Sequence, residues 1–330
     1  MSQGRALDCH VHIIGDGSSG SGCFLRPRGY SKFLAQIIVR HLGMPPSTLR
    51  TGLDAAYESR LVEMVRESSL DAAVILAHEY TRDSQGNIIE GFNTFYTPND
   101  YVLNLAKRHP EFLPAVSIHP ARPDALDELD RCIEGGAVMM KCLPNVHNID
   151  CSNRRFKRFW ERMAEAGIVL LAHTGGELSL PVYNHAFANP EVLLFPLECG
   201  VTVIAAHSGT NSLLFDPNYV ETFLEMIKQY PNLYGDNSAL LTPFRSKDLK
   251  RLAETNIQER IVHGSDLPIP VSGLWTVLRG ALSWKDYRQW NSISNVLERD
   301  LKLKQAIGFG DEVFQRLSRL LKLSGDIPAR

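Results

Sequence analysis

One stretch of the chain, residues 168–173, reads Ile168-Val-Leu-Leu-Ala-His173 and is apolar at odd and even positions alike. Strands that are buried on both faces of a parallel sheet have this composition, whereas half-exposed strands alternate apolar with polar residues. Seven further runs of strand length, most with the same pattern, lie at 6–14, 72–77, 113–118, 137–143, 201–206, 232–235 and 260–263. The chain is therefore expected to contain eight buried parallel strands.

Longer amphipathic segments separate these runs. Apolar residues at helical spacing predict helices at 53–68, 98–108, 152–165 and 217–229. Thr97 and Ser152 are suitable N-cap residues, and Gly167 is a suitable C-cap. Eight strand–helix units predict an α/β fold of the (β/α)8 TIM-barrel type, which typically has ~250 residues. A doubly wound open sheet has similar content, but the count of eight strands favours the barrel.

Two regions fall outside the repeat. Residues 15–52 form a long insertion after the first strand, and its Gly and Ser content suggests a mobile cover for the pocket. Residues 272–330 form a helical C-terminal extension, in which 311–323 is the last amphipathic helix. Since no linker composition divides the chain, we expect a single domain over residues 1–330.

The composition excludes several classes of function. The 330 residues carry a net charge of −2 without a basic stripe, which gives no support for nucleic-acid binding. No apolar run reaches the ~18 residues of a membrane helix, and no secretory signal is expected. The six cysteines contain no C-x-x-C pair and are interpreted as reduced thiols of a cytoplasmic protein. The expected partner is a small-molecule substrate, and homo-oligomer formation is left open.

The sharpest chemical signal is Asp8-Cys9-His10-Val11-His12 in the first strand. Residues two apart on a strand point to the same face, so His10 and His12 should project together while Cys9 faces the helices. Two such imidazoles can bind one metal ion. The alternative is that the two rings only pack, but burying them side by side without partners is costly.

Further metal-capable residues end other strands. His173, His207 and Asp266 each follow an apolar run, at the end of the strands where TIM barrels hold their active sites. Lys141 lies inside the apolar run 138–143, where burial favours a neutral amine. A neutral amine can add carbon dioxide and become a bridging carbamate ligand. The alternative is an unmodified lysine paired with an acid such as Asp266 or Glu177.

Other polar residues near strand ends are weaker candidates for contacts with substrate. They are His78, His119, His147, Tyr183, His185 and Arg245.

The motif Gly15-Asp-Gly-Ser-Ser-Gly20 matches the dinucleotide-binding pattern G-x-G-x-x-G after a strand. That pattern also requires a helix at once and an acidic residue about 20 positions later. No Asp or Glu occurs between Asp16 and Asp54, so an NAD-dependent oxidoreductase is disfavoured.

Taken together, the H-x-H strand, Lys141, His173, His207 and Asp266 resemble the amidohydrolase superfamily, within it the compact branch of TIM-barrel metal-dependent hydrolases. The resemblance implies one or two divalent ions, with zinc first and Mn, Fe or Co compatible. In a mononuclear site the ligands would be His10, His12, His173 and Asp266, with His207 as acid–base group or electrophile. In a binuclear site His173 and His207 would hold the second ion, and Lys141 would bridge.

The activity implied by the resemblance is hydrolysis of an ester, lactone, amide or phosphoester by a metal-activated water, with Asp266 as general base. A mononuclear decarboxylase of a small carboxylic acid, found in the same branch, is the main alternative. A non-catalytic metal-binding barrel is a remote one.

Overall fold

The computed structural model describes residues 4–323. Eight of its ten strands form one parallel sheet in the order β1-β3-β5-β6-β7-β8-β9-β10, and β2 pairs with β4 in a small antiparallel sheet. The strands are β1 (Leu7–His12), β2 (Phe24–Leu25), β3 (Ala72–Leu76), β4 (Phe95–Tyr96), β5 (Phe112–Val116), β6 (Met139–Cys142), β7 (Val169–His173), β8 (Val203–Ala206), β9 (Leu233–Asp236) and β10 (Ile261–Val262). All eight predicted barrel strands are present.

Backbone hydrogen bonds join the last barrel strand to the first. The amide of Cys9 donates to the His263 carbonyl at 2.9 Å, and the amide of His12 donates to the Leu267 carbonyl at 2.8 Å. The sheet therefore forms a nearly closed ring, and the TIM-barrel prediction is confirmed.

Within the described residues, fourteen α-helices accompany the strands. They are α1 (Tyr30–His41), α2 (Leu53–Arg66), α3 (Asn99–Arg108), α4 (Ala125–Glu134), α5 (Pro144–His147), α6 (Lys157–Ala166), α7 (Leu194–Glu198), α8 (Val220–Gln229), α9 (Leu249–Leu252), α10 (Thr255–Gln258), α11 (Leu274–Leu278), α12 (Trp284–Trp290), α13 (Val296–Ile307) and α14 (Asp311–Leu320). The helices α2, α3, α6 and α8 lie at the four predicted positions. Within residues 4–323 no helix has the length and apolar character needed to cross a bilayer.

Two of the predicted caps are wrong in detail. The Thr97 hydroxyl does not cap α3 but donates to the Ile13 carbonyl at 2.7 Å, which ties two loops together. The turn before α6 is capped by Asn153, whose side chain accepts from the Arg155 amide, and not by Ser152. Gly167 does end α6 in the left-handed conformation, as predicted.

A β-bulge in β1 changes which side chains face inward. The register with β3 shifts between Asp8 and Val11, so Cys9 and His10 together oppose one residue of β3. Cys9 consequently packs with Leu7 in the core cluster enclosed by the strands, and its predicted orientation toward the helices is wrong. Strict alternation fails here because the bulge adds one residue to the strand.

The two regions outside the repeat contain ordered elements. The insertion carries α1, a helix that the sequence reasoning did not identify. The C-terminal extension carries α11 to α14, in agreement with its predicted helical character. Within it, buried Lys304 donates to the Asp300 carboxylate at 2.6 Å and to the Gly264 carbonyl at 2.7 Å, which fixes α13 to the loop after β10. The single domain over residues 1–330 extends past the described residues and stays a prediction.

Candidate active site

Three predicted ligands meet where β1 and the loop after β10 end. His10 Nε2 lies 3.2 Å from His12 Nε2 and 3.1 Å from Asp266 Oδ1, and His12 Nε2 lies 3.4 Å from the same oxygen. The bulge in β1 and a left-handed Asp266 backbone, with φ of 65°, bring these atoms together. Such a backbone is strained for a residue other than glycine and is concentrated at functional sites.

The spacing of these three atoms fits a metal ion. Ligands at about 2.0–2.1 Å from a tetrahedral zinc ion are about 3.3–3.4 Å from one another. Two imidazole nitrogens and one carboxylate oxygen are also a donor set that zinc and other first-row metals accept. The residues present can therefore hold a divalent ion, although their geometry does not select which metal.

Asp236, the last residue of β9, orients two of the histidines, His10 and His207. Its Oδ2 lies 2.8 Å from His10 Nδ1. Its Oδ1 accepts from the Ser238 hydroxyl, which in turn lies 2.8 Å from His207 Nδ1. Both histidines therefore carry their proton on Nδ1 and present an unprotonated Nε2.

Sequence reasoning missed Asp236, because the seventh strand was predicted to end at Gly235. The signal was available, since Asp236 follows an apolar strand just as the recognised site residues do.

His207 and His173 stand next to this triad. The His207 ring centroid lies 5.2 Å from that of His10 and 4.9 Å from that of His173. Nδ1 of His173 lies 3.7 Å from a Glu177 carboxylate oxygen, whereas its buried Nε2 has no partner within residues 4–323. The side chains of His10, His12, His173, His207 and Asp266 thus lie close together at one end of the barrel.

Lys141 is buried beneath the triad. Its Nζ lies 2.8 Å from His10 Nε2, and no carboxylate of the described residues is within ion-pair distance. A direct ion pair of Lys141 with Asp266 or Glu177, the alternative considered above, is therefore not observed. Burial lowers the pKa of the Lys141 amine, which favours the neutral form that a carbamate requires.

Burial also sets the charge of the other groups. It raises the pKa of Asp266 to about 7, against the opposing effect of the Lys141 and Arg245 charges. Burial lowers the pKa of His12 to about 3 and that of His207 well below its usual range. The imidazoles are therefore neutral near pH 7, as metal ligation requires.

A cavity of about 430 Å³ opens onto this cluster and is lined by His12, His173, His207 and Asp266. Arg245 also lines it, in agreement with its predicted position. The Arg245 guanidinium donates to the Thr210 and Gly176 carbonyl oxygens, both at 2.7 Å. Burial lowers the pKa of His173 and His207, and the Arg245 charge lowers both further. Arg245 also holds the loops after β7 and β8 together.

The other predicted substrate contacts are not on the cavity wall. Tyr183 and His185 are exposed in the loop after β7. Three buried histidines belong to separate contacts: His78 Nε2 lies 3.3 Å from His147 Nε2, and His119 Nδ1 accepts from the Ala121 amide. A position near a strand end therefore did not by itself place a side chain on the cavity wall.

Comparisons with known proteins identify a family and similar folds. The amidohydrolase family model matches residues 7–283, and no curated protein matches the chain. Among solved structures, an uncharacterized TIM-barrel protein from Bordetella bronchiseptica is 20% identical, with a TM-score of 0.58 over 91% of this chain and 99% of that one.

Two further solved structures are similar across nearly the whole chain. A probable 2-pyrone-4,6-dicarboxylic acid hydrolase from Acinetobacter baumannii is 14% identical, with a TM-score of 0.54 over 97% of this chain and 100% of that one. The 4-oxalomesaconate hydratase from Rhodopseudomonas palustris is 16% identical, with a TM-score of 0.52 over 96% and 98%. At these identities the likeness shows the fold, whereas the family match spans most of the sequence. The chain belongs to the amidohydrolase family.

Proposed function

We propose that the protein is a metal-dependent hydrolase acting on an ester, lactone, amide or phosphoester of a small molecule. The observation that carries the proposal is the triad of His10, His12 and Asp266, whose ligand atoms lie 3.1–3.4 Å apart at the floor of a cavity. A divalent ion held there, with zinc as the first candidate, supplies the Lewis acidity that activates water and polarises a substrate oxygen near neutral pH.

Asp266 is proposed as the general base. Its carboxylate lies at the cavity floor beside His10 and His12, where it could accept a proton from water and later release it to a leaving group. His207 is proposed as a second acid–base group or electrophile, since its Nδ1 is held by Ser238 and its Nε2 is unprotonated. Arg245 is proposed to favour negative charge that develops on the substrate.

The number of ions depends on Lys141. A carbamate on Lys141, bridging two ions with His173 and His207 on the second, would support the hydrolase. One ion and an unmodified Lys141 would favour the alternative, a mononuclear decarboxylase of a small carboxylic acid. The contact between Lys141 Nζ and His10 Nε2 is the observation that keeps this alternative open.

Metal analysis and intact mass on gently purified protein separate these alternatives. Two metal ions per chain with the added mass of one carbon dioxide support the hydrolase, and one ion without it supports the decarboxylase. The cytoplasmic location, the homo-oligomer and the small-molecule partner stay predictions.

Activity screening with variants tests the enzyme itself. We expect His12→Ala and Asp266→Asn to abolish turnover across a panel of esters, lactones, amides and phosphoesters, while circular dichroism shows an intact fold. His185→Ala is the matched control, since this histidine is exposed away from the cavity. Near-normal turnover in either site variant with metal bound would contradict the roles assigned here. Metal binding without turnover of any substrate would favour the non-catalytic barrel.

A further inference from the structure

The walls of the cavity differ in chemistry from its floor. The imidazole and charged side chains lie at the barrel mouth, whereas the lining above them, from the insertion and the late loops, is mainly apolar with several Ser and Thr residues. We infer that the substrate carries an extended hydrocarbon group, which occupies this upper cavity while its reacting polar group lies at the floor. This inference rests on the proposed function, which places the reacting group at the metal site on the cavity floor.

One wall is a face of α1. Leu34, Ala35 and Ile38 line the cavity from this helix, and Leu25 lines it from β2. These residues recur at three- and four-residue spacing, so the helix turns a continuous apolar stripe toward the cavity. The insertion that covers the site therefore supplies apolar surface to whatever is bound there.

A second part of the lining is apolar as well. Leu180, Leu241 and Phe244 line it from the loops after β7 and β9, and Ile269 lines it from the segment after β10. A hydrocarbon group in contact with both parts of the lining would be largely removed from water, which is what hydrophobic binding requires.

The cavity offers little to a substrate with several carboxylates. Within residues 4–323, Arg245 is the one Lys or Arg on its lining, and its guanidinium already donates to the Thr210 and Gly176 carbonyls. Glu177 also lines the cavity and would repel anions wherever it is ionised. An ion at the floor could bind one acidic or carbonyl group, but a second carboxylate would meet a mainly apolar lining with no second cationic side chain and would lose hydration.

The entrance of the cavity also carries aromatic and aliphatic side chains. Tyr30 and Trp275 line the cavity and are 62% and 38% exposed, and Leu178 beside them is 44% exposed. A volume of about 430 Å³ lies within the ~300–1,000 Å³ of small-molecule sites, so the cavity is large enough for a hydrocarbon group in addition to the reacting group.

Calorimetric binding of straight-chain hydroxamates to the zinc-loaded full chain tests the inference without requiring turnover. The series runs from acetohydroxamate to octanohydroxamate, with citrate as the polycarboxylate probe. We expect affinity to rise with chain length by up to about fourfold for each methylene group that is buried. Affinity that does not change with length, no binding by any hydroxamate, or tighter binding of citrate than of octanohydroxamate would overturn the inference.

A pair of variants on α1 locates the effect. Leu34→Gln places an amide on the cavity wall and is expected to weaken the dependence on chain length. Phe33→Gln makes the same kind of change at the adjacent exposed position, which is not on the cavity lining, and should leave the series unchanged. An equal effect of both substitutions would also overturn the inference.

Turnover of the corresponding alkyl esters is measured in parallel, so that the two proposals can fail separately. Length-dependent hydroxamate binding without hydrolysis of any ester, lactone, amide or phosphoester in the panel would retain the apolar cavity as the binding site and reject the hydrolase. Ester hydrolysis with no preference for chain length would retain the hydrolase and reject the inference.

Discussion

Replacing Asp236 by asparagine should weaken metal binding although Asp236 is not one of the three proposed ligands. Oδ2 accepts from His10 Nδ1 at 2.8 Å, while Oδ1 accepts from the amides of His207 at 2.7 Å and Ser238 at 3.1 Å. Both carboxylate oxygens thus face donors only. An asparagine must point its NH2 group at one of these two sets.

Either orientation of the new amide is unfavourable. If the NH2 group faces His10, it must donate to Nδ1, which moves the imidazole proton to Nε2 and removes the lone pair from the metal site. If it faces the other way, the NH2 group meets the backbone amides of His207 and Ser238, which are also donors. The hydrogen bonds that link Asp236 through the Ser238 hydroxyl to His207 are then disrupted. Loss of a hydrogen-bond partner behind a metal ligand typically lowers metal affinity about 10–100-fold, or about 1.4–2.7 kcal/mol.

Competition with a chromophoric zinc chelator at pH 7.5 measures this change. Asp150→Asn is the control, because Asp150 is a loop carboxylate that accepts from the Ser152 amide and hydroxyl outside the site. We expect Asp150→Asn to bind zinc like the wild type and Asp236→Asn to bind it more weakly. A folded Asp236→Asn protein with wild-type zinc affinity would refute the assignment of His10 tautomer and orientation to Asp236.

The remaining predictions concern stability. Lys304→Met leaves the buried Asp300 carboxyl and the Gly264 carbonyl without their donor, so we expect a loss of about 3–5 kcal/mol in urea unfolding. The control Lys302→Met breaks the partly exposed ion pair with Glu298 and should cost about 0–1 kcal/mol. Equal losses of unfolding free energy in the two variants would show that the buried Lys304 contacts do not stabilise the fold. In the metal-free protein, the pKa of Asp266 near 7 exceeds that of the unfolded chain, so the unfolded state loses this proton first and stability falls as pH rises from about 4 to 7. Asp266→Asn removes this contribution, so the loss of unfolding free energy between pH 5 and pH 8 should be smaller in the variant than in the wild type by up to about 4 kcal/mol. Urea unfolding in the presence of a chelator measures this difference. An unchanged pH dependence would contradict the burial of this carboxyl group.

Local patterns predicted the barrel well. Strands such as β7 and β8 are apolar on both faces, and this pattern depends only on burial by the helices outside and the core inside. The residues at their ends, His173 and His207, could be assigned to one pocket because parallel strands in a barrel all end on the same side.

The sequence reasoning failed where tertiary geometry overrides local pattern. The bulge in β1 turns Cys9 inward, and nothing in the order Asp8-Cys9-His10 reveals the extra residue. Helix α1 was missed because the Gly- and Ser-rich start of the insertion suggested a loop throughout. His78 follows β3 and His147 ends α5, but their rings contact each other and do not line the cavity, which sequence position alone does not reveal.

The account depends most directly on one divalent ion shared by His10, His12 and Asp266. Anomalous diffraction from zinc-loaded crystals, collected on both sides of the metal absorption edge, tests this directly. We predict a peak within bonding distance of the two Nε2 atoms and of Asp266 Oδ1. A zinc ion bound elsewhere, with these three side chains in the positions described here, would contradict the central claim.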